Sequence, residues 1–243
     1  MTQEIAVFTN KISRLFGSFK AVDEVSISVP KGEIFGFLGA NGAGKTTMIK
    51  MLCGLLMPSS GDAMVAGLDI YKDNELIKQK IGYMSQKFSL YNDLTVEENI
   101  NFYGGIYSLS KSALKDKKQE IVESLEMQDF RYKLCSEIPV GFKQRLALAC
   151  AMLHNPSVIF LDEPTSGVDP KVRRDFWHII HKLADEGITV FVTTHFMDEA
   201  EYCHRVSIMH QGKLIALDSP ENLKKTYNKD NMQNVFISLL KNK

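Results

Sequence analysis

The sequence lacks any apolar run near the ~18–20 residues that cross a bilayer, so work at a membrane requires a second component as anchor. It lacks close cysteine pairs. Cys53, Cys135, Cys150 and Cys203 stand apart, with no CxxC and no His/Cys ligand spacing. That argues against a structural zinc or a disulfide framework and for reduced thiols. Neither sign of charge is in excess, with 29 basic against 29 acidic residues, so no nucleic-acid partner is expected. The opening MTQEIAVFTNK has no secretory apolar core. No Gly/Ser-rich or Pro-rich linker, internal repeat or low-complexity segment divides the chain. These absences leave one domain over 1–243, with an apolar fraction of 44% that can bury a large core.

What is present is organised around Glu33–Thr47, EIFGFLGANGAGKTT. Ile34–Leu38 reads as a buried strand, and Lys45–Cys53 as a helix opened by Gly44-Lys45-Thr46-Thr47. Strand, Gly-rich turn, Gly-Lys-Thr and helix form the phosphate-binding loop GxxxxGK[ST] in its required context. Glycines let the backbone N–H groups converge on a phosphate, and the helix N-terminus adds unpaired N–H groups and a positive dipole end. Lys45 is expected on the β/γ-phosphates, and Thr46 offers a hydroxyl to Mg²⁺.

Around this stretch the pattern is α/β. Glu4–Thr9 and Val22–Val29 alternate like antiparallel strands, with Arg14–Lys20 between them. Ala63–Gly67 and Ile81–Met84 read as short strands and Asp73–Lys80 as a helix. From 92 to 155 the character turns helical: a capping box at Thr95–Glu98, a charged helix over Ser110–Glu126, and an apolar stripe Leu146, Ala149, Cys150, Leu153 on Phe142–His154. The apolar strands Val158–Leu161 and Ile188–Thr194 flank a helix over Pro170–Glu186, and Arg205–Met209 and Leu214–Leu217 follow. The expected fold is therefore α/β, a P-loop NTPase core with a mostly parallel sheet, an N-terminal antiparallel β part and an inserted helical lobe. Segments 1–91 and 156–220 form the core, 92–155 the helical lobe and 221–243 a helical tail.

Ligands of open α/β sheets bind outside the carboxyl ends of the strands. Polar features stand at these predicted ends: the loop after Leu38, Gln86 after Met84, Asp162-Glu163 after Leu161, and His195 after Thr194. An aspartate after an apolar strand holds hydrated Mg²⁺ in phosphoryl-transfer enzymes, and an adjacent glutamate can orient an attacking water. His178 and His181 share a helix face but have no third ligand in sight and read as a solvated face. The guanine-reading pattern Asn-Lys-x-Asp does not occur, since Asn228-Lys229 is followed by Asp230-Asn231.

The order of these motifs resembles the ATPase subunit of an ATP-binding cassette (ABC) transporter over nearly the whole chain. In that resemblance Phe16 is the aromatic that stacks on adenine, with Val22 also at the nucleotide. Gly39, Ala40, Asn41, Gly42, Ala43, Gly44, Lys45, Thr46 and Thr47 are the Walker A loop. Gln86 is the Q-loop residue, Ile159–Glu163 is Walker B, Ser166–Asp169 is the D-loop and His195 is the switch histidine. The resemblance implies ATP and Mg²⁺ as ligands. Thr46, Gln86 and Asp162 surround the metal, and Glu163, His195, Lys45 and Gln86 act in hydrolysis. It further implies a second ATPase subunit, a separate membrane permease and a place at the cytoplasmic side of a membrane. Ser166–Pro170 with Arg173-Arg174, then Thr193–Glu201, look like the drug-resistance and lipid-export branch. A soluble ABC-type ATPase acting on ribosomes or DNA is the alternative.

One departure stands out. The family signature is Leu-Ser-Gly-Gly-Gln, but Ile138-Pro139-Val140-Gly141-Phe142 occupies its place. In the family, the serine and the N–H groups after it cap the γ-phosphate bound to the opposite subunit. Pro139 has neither hydroxyl nor N–H, so Val140 and Gly141 are expected to supply a weakened cap.

Overall fold

The computed structural model describes residues 4–241. Two sheets and a helical lobe share the chain. Strands β1 (Ile5–Phe16), β2 (Phe19–Pro30), β4 (Ser60–Val65) and β5 (Leu68–Asp69) form an antiparallel sheet in the order β2-β1-β4-β5. Strands β3 (Ile34–Leu38), β6 (Ile81–Met84), β7 (Val158–Asp162), β8 (Thr189–Thr194), β9 (Arg205–His210) and β10 (Lys213–Asp218) form the larger sheet, ordered β10-β9-β3-β8-β7-β6. It is parallel throughout except for the antiparallel β9–β10 hairpin.

The helices are α1 (Lys45–Leu52), α2 (Asn74–Lys80), α3 (Val96–Ile106), α4 (Lys111–Ser124), α5 (Val140–Met152), α6 (Pro170–Asp185), α7 (Pro220–Thr226) and α8 (Met232–Lys241). Their starts follow local chemistry. Thr95 forms the expected capping box with Glu98 on α3, Ser110 caps α4, and Asp169 caps α6 by accepting from the N–H groups of Lys171 and Val172 at 2.9 and 3.1 Å.

Strand periodicity divides the interior. Phe35, Phe37, Phe160 and Phe191 point to one face of the large sheet, where α1 and the antiparallel sheet cover them. Ile34, Leu38, Ile159, Leu161, Val190 and Val192 point to the other, against α5, α6 and α8. Such double coverage explains why these strands are apolar without interruption. A third cluster, with Val96, Ile100, Val122, Leu146 and Leu153, holds the helical lobe together.

Three local differences from the sequence expectations have physical causes. The first two strands run as a single long hairpin through Arg14–Lys20, turning at Gly17-Ser18. Register shifts between Thr9 and Ile12, and again near Arg14, break the polar/apolar alternation there. Helix α5 begins at Val140, two residues earlier than the apolar stripe suggests, with Pro139 extended at its capping position (φ −58°, ψ 151°). The same helix is buried on more than the expected stripe, because Ala147, Leu148 and Ala151 pack on the large sheet while Leu146, Ala149 and Cys150 face the helical lobe.

Candidate functional site

The parallel register brings the polar strand ends to one edge. Leu38 pairs with Thr194, Asp162 with Thr193, and Met84 with Leu161, so the segments that follow β3, β6, β7 and β8 leave the sheet side by side. A cleft of about 390 Å³ opens there, lined by Phe16, Phe19, Ala21, Asn41, Gly42, Gly44, Lys45, Thr46, Thr47, Gln86 and Glu163.

The loop from Gly39 to Gly44 is tied down behind the cleft. Ala43 N–H donates to Ala40 O at 3.1 Å, and Ala43 O accepts from Gly212 N–H at 3.1 Å, so the β9–β10 turn braces the loop. Gly44 adopts φ +106°, and a Cβ there would lie 2.4 Å from Ala21 O, so glycine is the only residue that fits. Lys45, only 4% exposed, turns back over the loop and donates to Gly39 O at 2.8 Å and Ala40 O at 3.2 Å. Burial pushes its ammonium below the usual lysine range, opposed by the charges of Glu163 and Asp162.

Glu163 is the meeting point of the edge. Its Oε1 lies 3.5 Å from Lys45 Nζ. Its Oε2 accepts from Gln86 Nε2 at 3.1 Å and lies 3.1 Å from His195 Nδ1. The residue sits at φ +49°, an uncommon conformation for a side chain with a Cβ. That geometry is held by its own N–H, which donates to Thr193 Oγ1 at 2.9 Å. Strain kept in place by surrounding bonds is frequent at functional sites. Asp162 forms a second polar group next to it, accepting from Thr46 Oγ1 at 3.1 Å and from Thr193 Oγ1 at 2.6 Å.

Lys45, Thr46, Gln86, Asp162, Glu163 and His195 are therefore one connected set, with Asn41, Gly42, Gly44 and Thr47 on the cleft wall and Gly39, Ala40 and Ala43 behind it. Phe16, 48% exposed, stands at the cleft mouth with the Arg14 guanidinium 4.7 Å from its ring centroid. Gln86 joins the set through Glu163 and lines the same cleft as Thr46. Two further placements bear on the expected ligand contacts. Val22 is fully buried in the core and is not among the cleft-lining residues; its neighbour Ala21 on β2 lines the cleft. Val140 and Gly141 lie at the start of α5 in the helical lobe, outside the cleft lining, so within one chain they contribute nothing to it.

Sequence reasoning missed Thr193, Phe19 and Gly212. Thr193 stands beside Asp162 only because of the β7–β8 register, which the sequence does not encode locally. Phe19, 61% exposed, faces the cleft because it pairs with Phe16 across the hairpin. A pair of aromatics flanking a Gly-Ser turn was the available signal.

Residues 22–166 of this chain, more than half its length, match a protein family described as ABC transporter. The chain belongs to that family. As an ABC transporter ATP-binding domain it is 48% identical over 242 residues to the probable multidrug ABC transporter ATP-binding protein YbhF of Escherichia coli, covering 98% of this chain and 42% of that protein. The chain thus spans less than half the length of that relative. It is 39% identical to the bacitracin transport ATP-binding protein BcrA of Bacillus licheniformis, covering 89% of this chain and 71% of BcrA. Among solved structures, the ADP conformation of an ATP-binding cassette of an ABC transporter superposes with a TM-score of 0.82 at 27% identity, covering 96% of this chain and 98% of that one. An ATP-binding subunit of an ABC transporter gives a TM-score of 0.86 at 22% identity, covering 97% and 99% of the two chains, a likeness of fold.

Proposed function

We propose that this chain binds and hydrolyses ATP to drive export through a separate membrane permease, working as one of two ATPase subunits at the cytoplasmic face. The observation that carries the reading is the convergence of Lys45, Gln86 and His195 on the Glu163 carboxylate beside a phosphate-binding loop. The multidrug and bacitracin functions in the names of its relatives support an export role.

In this reading the N–H groups of the Gly39–Thr47 loop and Lys45 hold the β/γ-phosphates. Phe16, with Phe19 across the hairpin, flanks the base. Thr46 and Asp162 offer a hydroxyl and a carboxylate, oxygen ligands suited to Mg²⁺, and their 3.1 Å contact supports this reading. Mg²⁺ held by Thr46 and Asp162 would supply charge neutralisation to the phosphates. Glu163 orients the water that adds to the γ-phosphorus as the bond to the β-phosphate oxygen breaks, releasing ADP and phosphate. Before that step His195 contacts the γ-phosphate, and Lys45 has passed from Glu163 to the nucleotide. Preorganised charge of this kind accounts for much of the rate in phosphoryl transfer.

Val140 and Gly141 reach in from the second subunit. The α5 N-terminus has no side-chain cap, and Val140 is 47% exposed. Gly141 is packed so close to α6 that a Cβ would meet Val172 Cγ1 at 2.9 Å. A serine at 139 would restore a hydroxyl and an N–H toward the γ-phosphate. One hydrogen bond to a charged oxygen is worth about 1.5–3 kcal/mol, so Pro139→Ser is expected to raise ATP-dependent dimerisation roughly 10- to 150-fold. Analytical ultracentrifugation with a non-hydrolysable ATP analogue reads this directly. An unchanged dimer constant would remove the 138–142 segment from the γ-phosphate.

The permease contact is placed at the helical-lobe surface after Gln86. Tyr91 and Phe102 are exposed there with ring centroids 4.5 Å apart, and Ile106 is 56% exposed. A cysteine at Tyr91 is expected to crosslink to a co-purifying integral membrane protein. Co-sedimentation with ribosomes or DNA, with no such crosslink, would overturn the transport reading.

A further inference from the structure

Glu199 is a fully buried carboxylate to which the hydrolytic cycle assigns no task. It lies on the short 3-10 turn Met197–Tyr202, just past His195. Its Oε1 accepts from Thr165 Oγ1 at 2.5 Å and stands 3.5 Å from Arg173 Nε, while its Oε2 has no hydrogen-bond partner among the described residues. Arg173 Nη1 also approaches Asp198 Oδ2 at 3.5 Å.

The guanidinium has a second contact. Its central carbon lies 3.9 Å from the centroid of the Phe196 ring, and that ring packs against the His195 imidazole with centroids 4.1 Å apart. Guanidinium, phenyl and imidazole thus lie in series, the two rings tilted by 36°, and His195 Nδ1 meets Glu163 at the far end. At the near end, Arg173 N–H donates to Asp169 O at 3.0 Å in the first turn of α6. Thr165 belongs to the loop joining Glu163 to Ser166–Asp169, and Gln144 of α5 donates to the carbonyl of Pro164 next to it. The loop after Glu163 and the segment after His195 are therefore clasped by one charged pair.

Burying such a pair is costly, and apolar side chains of similar volume would pack there at no such penalty. Its retention calls for a geometric use. We infer that Arg173, paired with Glu199, is a positioning residue for His195: it fixes the imidazole through Phe196 and ties that position to the Thr165–Asp169 loop. The inference rests on the hydrolytic reading of His195 and deepens it. Neither Arg173 nor Glu199 lines the nucleotide cleft, so both act through His195.

The experiment uses Arg173→Lys, Arg173→Met, Glu199→Gln and the double variant Arg173→Met/Glu199→Gln. Thermal unfolding, ATP affinity, kcat, KM and the His195 imidazole NMR signal (assigned with His195→Ala) are measured for each. Small misplacements of a reacting group cost up to about 100-fold, so kcat is expected to fall roughly 10- to 100-fold while KM and ATP affinity stay within about 3-fold. The double variant leaves no unpaired buried charge. It should regain the Tm lost by Arg173→Met yet keep the low kcat and the displaced His195 signal. Arg173→Lys keeps the charge but not the planar guanidinium over the Phe196 ring, and should fold normally with the same kinetic defect. Wild-type kcat and a wild-type His195 signal in Arg173→Lys or the double variant would overturn the inference. Failure of the unaltered protein to hydrolyse ATP would count against the hydrolytic reading alone, because the imidazole signal needs no turnover and still decides the positioning role.

Discussion

Glu163→Gln is expected to lower ATP turnover by about 10²- to 10⁴-fold, the usual contribution of a positioned general base, while ATP binding is kept or improved. The kinetic loss follows from the removed carboxylate charge, since an amide is nearly isosteric but cannot draw a proton from water. The gain in binding follows from the Lys45–Glu163 contact. Glu163 Oε1 lies 3.5 Å from Lys45 Nζ, so the carboxylate competes with a γ-phosphate for the same ammonium. Neutralising it frees Lys45 for the nucleotide. The variant should therefore accumulate as a long-lived ATP-bound dimer, read by size-exclusion chromatography with retained ATP and by single-turnover phosphate release. Turnover within a few-fold of the unaltered protein would take the water-orienting role away from Glu163.

Lys45→Ala is expected to act on binding first. The Lys45 ammonium is 4% exposed and is held to the loop by the carbonyls of Gly39 and Ala40. Truncating one partner of a desolvated charge pair costs about 2–5 kcal/mol, and every 1.4 kcal/mol is tenfold, so ATP affinity should fall by roughly 30- to several-thousand-fold. Folding should be little affected. Glu163 retains Gln86 and His195 as partners. Isothermal titration of the variant with MgATP, alongside its thermal unfolding, separates the two effects. Affinity within about 3-fold of the unaltered protein would exclude Lys45 from the phosphate site.

The contrast between legible and illegible residues has a physical basis. Strand β3, the loop after it and α1 were readable because their signal is local: an apolar run, turn glycines and a helix start fall within fifteen residues, Glu33–Thr47. Asp162 and His195 were readable because each closes a continuous apolar strand, and a parallel sheet puts such ends together. Which of Ala21 and Val22 faces the cleft was not legible, because a one-residue step along a strand reverses the face and register shifts break the alternation of the first hairpin. Thr193 and Glu199 escaped notice because their partners, Asp162 and Thr165, lie about thirty residues away and are reached only through the β7–β8 pairing and the turn after His195.

By itself the sequence determined the α/β class, the phosphate-binding loop, the acidic strand end and the departure at Pro139-Val140, because these depend on residue type and near-neighbour spacing. The tertiary structure alone decided that Glu163 gathers Lys45, Gln86 and His195 into one set. It also decided that Ala21 and not Val22 faces the cleft, and that the signature segment stands outside it. Those outcomes depend on strand register and on packing between distant segments, which fix distances that spacing along the chain leaves free.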